Sequence, residues 1–183
     1  PQPKIIELNN VSLTFDNGHS PFQNINFHVD EGDFVAITGP NGGGKTSLLR
    51  LILKLIAPTS GKVTYRWKGN EVKHLNFGYL PQKNTIDHRF PITVKEVISS
   101  GLSSTGKLFH RLTNDEKEKI QQTINLVGLC EKADAGIGEI SGGQLQRALL
   151  GRAIISNPNV LILDEPLSYV DKNFESHLYE IIS

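Results

Sequence analysis

Hydrophobic and polar positions divide the chain into stretches of different period. KIIEL and VSLTF have strand composition, and DNG at residues 16–18 marks the turn after them. INFHV alternates weakly, EGD at residues 31–33 is a further turn, and FVAIT reads as a buried strand. SLLRLILKLI then carries a helical pattern that APTSG ends through Pro58 and Gly61. KVTYRW and NFGYL read as strands. From about Pro91 to Gly128 the period becomes helical. Thr93 stands three residues before Glu96, and TNDE at residues 113–116 repeats that spacing, so two capping boxes are expected. Ile120, Ile124 and Val127 share one helical face, Gly128 suits the position that stops a helix, and SSTGKL reads as a flexible loop. A glycine-rich segment, ISGGQLQR, opens a helix to about residue 156. NPN makes a turn, VLILDEP contains a buried strand, and a last helix begins near Asp171. Strands alternating with helices around a buried parallel strand predict an α/β fold.

Composition narrows the class. The chain has 183 residues, enough for one domain with a sizeable core. Lys+Arg and Asp+Glu are 19 each, so no global basic field attracts nucleic acid. A hydrophobic share of 38% is ordinary for a globular chain, and no apolar run reaches the length of a bilayer span. The single Cys130 forbids an internal disulfide and reads as a small buried hydrophobe. There is no Met, and HLYEIIS reads as a helix without a stop signal, so a piece of a longer protein is expected.

Two glycine-rich loops carry the candidate chemistry. GPNGGGKT matches G-x-x-x-x-G-K-[ST] through Gly39, Gly44, Lys45 and Thr46, between an expected strand and helix. Glycines let backbone N–H groups wrap around phosphates, and the next helix aims its dipole at the same charge. Asn41, Gly42, Gly43, Gly44, Lys45, Thr46 and Ser47 are the expected nucleotide ligands. Lys45 would reach the β- and γ-phosphates, and Thr46 would give a hydroxyl to Mg²⁺. In VLILDEP, Asp164 ends a strand where open α/β sheets bind ligands and is the expected Mg²⁺ partner. Glu165, one residue on, could orient or deprotonate a water. ISGGQLQR supplies no lysine. Ser141, Gly142 and Gly143 could donate to an anion at the start of a helix, or Ser141 could simply cap that helix. Residue chemistry leaves both readings open.

The ordered set of motifs resembles the nucleotide-binding subunit of ABC transporters, most closely the subunits of bacterial zinc and manganese importers. GPNGGGKTS is similar to that family's Walker A loop, ISGGQ to its LSGGQ signature with Ile140 for Leu, and VLILDEP to its Walker B strand with catalytic glutamate. Gln82 in GYLPQ matches the glutamine loop, SYVD ending in Asp171 the D-loop, and Phe15 the adenine-stacking aromatic. The resemblance implies a P-loop NTPase core with a parallel sheet, an antiparallel β subdomain at the N-terminus and an inserted α-helical subdomain. The expected boundaries are about 1–84 and 142–183 for the core and about 85–141 for the helices.

It further implies ATP and Mg²⁺ as cofactors, Mg²⁺ being held by Thr46, Gln82 and Asp164. Catalysis would fall to Glu165 and Gln82. Two copies would pair head to tail, with Ser141, Gly142, Gly143 and Gln144 reaching the partner's nucleotide and Asp171 at the interface. Implied partners are a second ATPase subunit, an integral membrane permease and a substrate-binding protein, at the cytoplasmic face of a bacterial membrane. Nucleic acid is not among them. Phe90, Pro91, Ile92 and Val94 are implied as lining for a groove that receives the permease, although for Val94, Val97 and Ile98 the core of the helical subdomain is the better reading. A switch histidine is implied beyond Ser183, His177 being too early. His74, Asp87 and His88 lack the spacing of a zinc site. Two other classes compete: a soluble ABC ATPase acting on DNA or ribosomes, and a P-loop kinase. The compact interval between Gln82 and the signature and the single ATPase unit argue against the first. ISGGQ and SYVD argue against the second.

Overall fold

KIIEL and VSLTF are not two strands but one. In the computed structural model, which describes residues 2–81, 87, 89–102 and 112–164, β1 runs Lys4–Leu13 without a break. Ile5 and Ile6 are both buried where the strand begins; from there Leu8 is buried before Asn10 and Val11 and Leu13 after it, so the buried positions pass from even to odd across Asn10. That change of parity needs one extra residue. Asn10 supplies it with a φ of 50°, and the ladder shifts register there. Asn26 holds the bulge, its Oδ1 accepting from the Asn10 N–H at 2.9 Å and its Nδ2 donating to Asn10 Oδ1 at 3.0 Å.

The chain divides into two compact units, Pro1–Leu75 and Asn76–Ser183. The first is built on an antiparallel sheet, with β1 flanked by β2 (Phe22–Asp30) and β3 (Ser60–Trp67), and with β4 (Asn70–Val72) at the edge beyond β3. The short β4 escaped the sequence reading. It follows β3 through Lys68 and Gly69, at φ 51° and 78°, the two left-handed positions of a tight hairpin. Helix α1 (Lys45–Ile52) stops before the apolar run LILKLI does. Lys54 takes a φ of 56° there, and the Lys54 and Leu55 N–H groups donate back to the Leu51 and Arg50 carbonyls at 3.0 and 2.8 Å. This is the Schellman stop, made with lysine in place of glycine. The buried Tyr65 hydroxyl donates to the Ile52 carbonyl and joins the helix end to β3.

FVAIT departs from expectation. Residues 34–38 join neither sheet among the described residues, and Phe34 is 75% exposed. An apolar run favours extended backbone, but a strand exists only where a neighbour takes up its N–H and C=O groups. β1 has both edges taken by β2 and β3, and among the described residues, 34–38 also pair with neither outer strand, β2 or β4.

The second unit has a parallel pair, β5 (Phe77–Leu80) beside β6 (Val160–Leu163), in register from Phe77↔Val160 to Leu80↔Leu163. Helices α2 (Val94–Ser99), α3 (Asn114–Leu126) and α4 (Gly142–Ile154) enclose one core with Leu80. Both expected capping boxes form. Thr93 and Thr113 accept from the N–H groups of Glu96 and Glu116, whose carboxylates accept from the threonine N–H groups at 2.8 Å. Gly128 stops α3 at φ 67°. Ile120, Ile124 and Val127 are fully buried on one face. Val94, Val97 and Ile98 are buried in the same core, so Val94 cannot line a groove open to a partner. Phe90, by contrast, is 60% exposed. Cys130 is exposed, against expectation, with its thiol donating to Asn125 Oδ1. It opens a 3₁₀ turn just past the buried Leu129, which fills the core position in its place.

Candidate nucleotide-binding site

In the first unit the glycine-rich loop is shaped by its own backbone. The Gly43 N–H donates to the Pro40 carbonyl at 3.0 Å with Gly42 at φ 81°, the arrangement of a type II turn with its required glycine. Gly44 holds φ 85° and caps α1 without any side-chain hydrogen bond. A Cβ at Gly44 would stand 3.0 Å from Pro21 Cβ, so this position needs glycine for both conformation and space. The Lys45 ammonium donates to the Gly39 and Pro40 carbonyls at 2.9 and 3.0 Å, which folds it across the loop. Asn41, Gly42 and Gly43 are exposed, and Thr46 and Ser47 lie half-buried in the first turn of α1. A positive side chain, a curled backbone and an α1 start without a side-chain cap suit a phosphate chain.

Phe15 lies on the hairpin joining β1 to β2. Its N–H donates to the His19 carbonyl and its own carbonyl accepts from the Gly18 N–H, both at 2.9 Å. The Phe15 ring is 40% exposed and stacks parallel to His19, with centroids 6.3 Å apart and planes at 7°. The sequence reading missed His19. Its only signal was a position four residues on, across a DNG turn.

In the second unit Asp164 is 7% exposed at the end of β6, and its N–H continues the ladder to the Leu80 carbonyl at 2.9 Å. A buried carboxylate at the C-terminal end of a parallel strand stands where α/β sheets bind ligands. Ser141 does cap α4. Its hydroxyl oxygen accepts from the Gln144 N–H at 3.2 Å, and Gln144 Oε1 accepts from the Ser141 N–H at 2.8 Å. This does not exhaust the serine. The Oγ spends a lone pair on the cap and keeps its O–H to donate. Ser141 and Gly142 are exposed, and a Cβ on Gly142 would meet nothing within 4 Å. Capping and anion binding are therefore compatible at one residue. The structure brings Ser141, Gly142, Gly143 and Gln144 together on one helix end. Gln82, Glu165 and Asp171 lie outside the described residues.

Comparison with known proteins places these features in a family. The ABC transporter family model matches residues 22–168. The zinc uptake system ATP-binding protein ZurA of Listeria innocua is 40% identical over 98% of this chain and 71% of its own length. The zinc import ATP-binding protein ZnuC of Pasteurella multocida is 38% identical over 97% of this chain and 61% of its own. Among solved structures, a chain of an inward-facing ABC transporter described as metal-chelate type aligns with TM-score 0.80 and 27% identity, over 98% of this chain and 67% of that one. An ATP-binding cassette dimer bound to ADP and Pi has the same fold, with TM-score 0.80 at 22% identity, over 97% and 81% of the two chains. This chain belongs to the ABC transporter family and is one of its ATP-binding, ATP-hydrolysing domains.

Proposed function

We propose that the chain drives uptake of a divalent metal ion, zinc first, through a membrane permease in a bacterium. It acts at the cytoplasmic face of the membrane as one of two paired copies. The names of the relatives support the cargo and the importer class over a role on DNA or ribosomes. The implied partners are an integral membrane permease and a substrate-binding protein; among the described residues no helix is long and apolar enough to cross a membrane. The exposed Phe90, with Pro91 and Ile92 beside it, would take the permease contact that Val94 cannot. We assign residues 1–84 and 142–183 to the ATPase core with its β subdomain, and residues 85–141 to a helical subdomain.

The observation that carries the reading is the double use of Ser141. A helix N-terminus that is capped and still presents a hydroxyl and an exposed glycine suits a second copy's γ-phosphate better than its own chain's nucleotide. The chain's own loop already offers a lysine and a curled backbone. In this mechanism adenine stacks on Phe15. The N–H groups of residues 41–47 and the Lys45 ammonium hold the phosphates. Ser141, Gly142, Gly143 and Gln144 of one copy stabilise charge developing on the other's γ-phosphate. Glu165 takes a proton from the attacking water, Gln82 positions that water, and Asp171 organises the interface between copies. Thr46, Gln82 and Asp164 carry hydroxyl, carboxamide and carboxylate oxygens, the hard donors that Mg²⁺ prefers, and would hold an ion whose charge offsets that of the phosphates.

The test is reconstitution with the permease in vesicles. ATP hydrolysis should rise when zinc-loaded binding protein is added outside, and the rise should be absent in Lys45→Ala. Stimulation by a different cargo with none by zinc or manganese would refute the metal assignment.

A further inference from the structure

The sequence contains two Asn–Gly pairs, Asn17–Gly18 and Asn41–Gly42. Asparagine before glycine is open to attack from its own backbone. The glycine amide nitrogen adds to the side-chain carboxamide carbon, ammonia leaves, and a five-membered succinimide forms. Water then opens the ring to aspartate or isoaspartate. No reagent beyond water is consumed, and glycine offers no Cβ to hinder the approach.

The two pairs are held differently. At the first, both reacting groups are engaged. The Gly18 N–H donates to the Phe15 carbonyl at 2.9 Å, and Asn17 Oδ1 accepts from the His19 N–H at 3.0 Å. At the second, among the described residues, neither the Asn41 carboxamide nor the Gly42 N–H has a hydrogen-bond partner, and both residues are exposed. Among the described residues the one backbone bond across this pair is the Gly43 N–H to the Pro40 carbonyl. Three glycines in succession let the backbone rotate, and the space beside Gly42 is open to 4 Å.

We propose that Asn41 is a site of spontaneous deamidation and that bound nucleotide suppresses it. The suppression rests on the phosphate-loop reading, in which the Gly42 N–H is one of the donors fixed on the phosphates. Either product places a carboxylate at a loop built for phosphate. Isoaspartate also adds a backbone atom where the turn is tightest. The nucleotide-free chain thus loses its ligand with age, and the ligand stops the loss.

The experiment holds the whole chain at mildly alkaline pH alone, with ADP, or with inorganic tripolyphosphate, and runs Lys45→Ala in parallel. Peptide mass mapping follows conversion at both asparagines, and equilibrium dialysis follows ADP binding in the same samples. In the chain alone Asn41 should convert roughly tenfold faster than Asn17, about the factor for breaking a hydrogen bond of ordinary net strength. ADP should slow Asn41 in the parent chain and leave Lys45→Ala unchanged. Equal rates, or a faster Asn17, would overturn the site. Bound ADP that fails to slow Asn41 would overturn the suppression. If the parent chain binds no ADP, the phosphate-loop reading fails, and the ratio of the two rates still decides whether Asn41 is the site.

Discussion

Ser141 caps α4 and, in the proposed mechanism, also reaches a second copy's nucleotide; substitution can separate the two. Ser141→Ala removes both: the oxygen that accepts from the Gln144 N–H at 3.2 Å and the hydroxyl offered outward. Loss of an N-cap costs about 1 kcal/mol, which in a chain of this size lowers the melting temperature by about 2–4 °C. Ser141→Asp keeps an acceptor at the cap and adds a negative charge beside the helix's positive end, so the melting temperature should hold or rise slightly. The same carboxylate would face the partner's γ-phosphate. Two unit charges 4 Å apart at an effective dielectric of 20 interact by about 4 kcal/mol, so ATP-dependent pairing should weaken by more than about a hundredfold. Thermal melts read the first effect, and sedimentation with nucleotide reads the second. The reasoning is refuted if Ser141→Asp pairs as the parent chain does, or if Ser141→Ala leaves the melt unchanged.

Lys45→Ala should remove tight ATP binding in equilibrium dialysis while leaving the melt of the nucleotide-free chain within about 0.5 kcal/mol, because among the described residues the ammonium is bonded to exposed loop carbonyls alone. Phe15→Ala should weaken ATP by about 1 kcal/mol or more and leave inorganic tripolyphosphate unaffected, since the ring serves only the base. The Glu96 carboxylate is held below its usual 4.5 by the N–H and hydroxyl of Thr93. Its contribution to α2 is therefore complete above 4.5 and lost as pH falls through the lowered value. Glu96→Gln should flatten that part of the acid-stability profile, and an unaltered profile would show that the capping box carries none of it.

What the sequence disclosed was local, and what it withheld depended on partners. The boxes at Thr93 and Thr113 and the stop at Gly128 were readable because each is settled within a few residues. The turn in the glycine-rich loop is local too, closed between Pro40 and Gly43, whereas the need for glycine at Gly44 comes partly from Pro21, 23 positions earlier in the chain, which no local reading shows. The bulge at Asn10 was not, because it shows only as a change of buried parity across a strand that the eye divides in two. The end of α1 was hidden by LILKLI, which remains apolar beyond the Schellman stop and places lysine where glycine is customary. Apolar composition suggested a buried strand at residues 34–38 and could not say what would pair with it. Cys130 was read by its residue type, while Leu129 took the buried position. Residue chemistry left the two readings of ISGGQ open, and the resemblance chose between them, because a residue list does not show that the Ser141 oxygen accepts from the Gln144 N–H and still keeps an O–H to donate.

In the proposed mechanism the signature loop, Ser141 to Gln144, serves a second copy's nucleotide. The most direct test is sedimentation of Glu165→Gln, with and without Mg²⁺-ATP, beside the same protein carrying Ser141→Arg. Slowed hydrolysis should hold the first protein as a dimer only when nucleotide is present. The added arginine should leave ATP bound to a monomer. A dimer that forms equally well with Ser141→Arg would contradict the claim, because the loop would then have no place at the partner's phosphate.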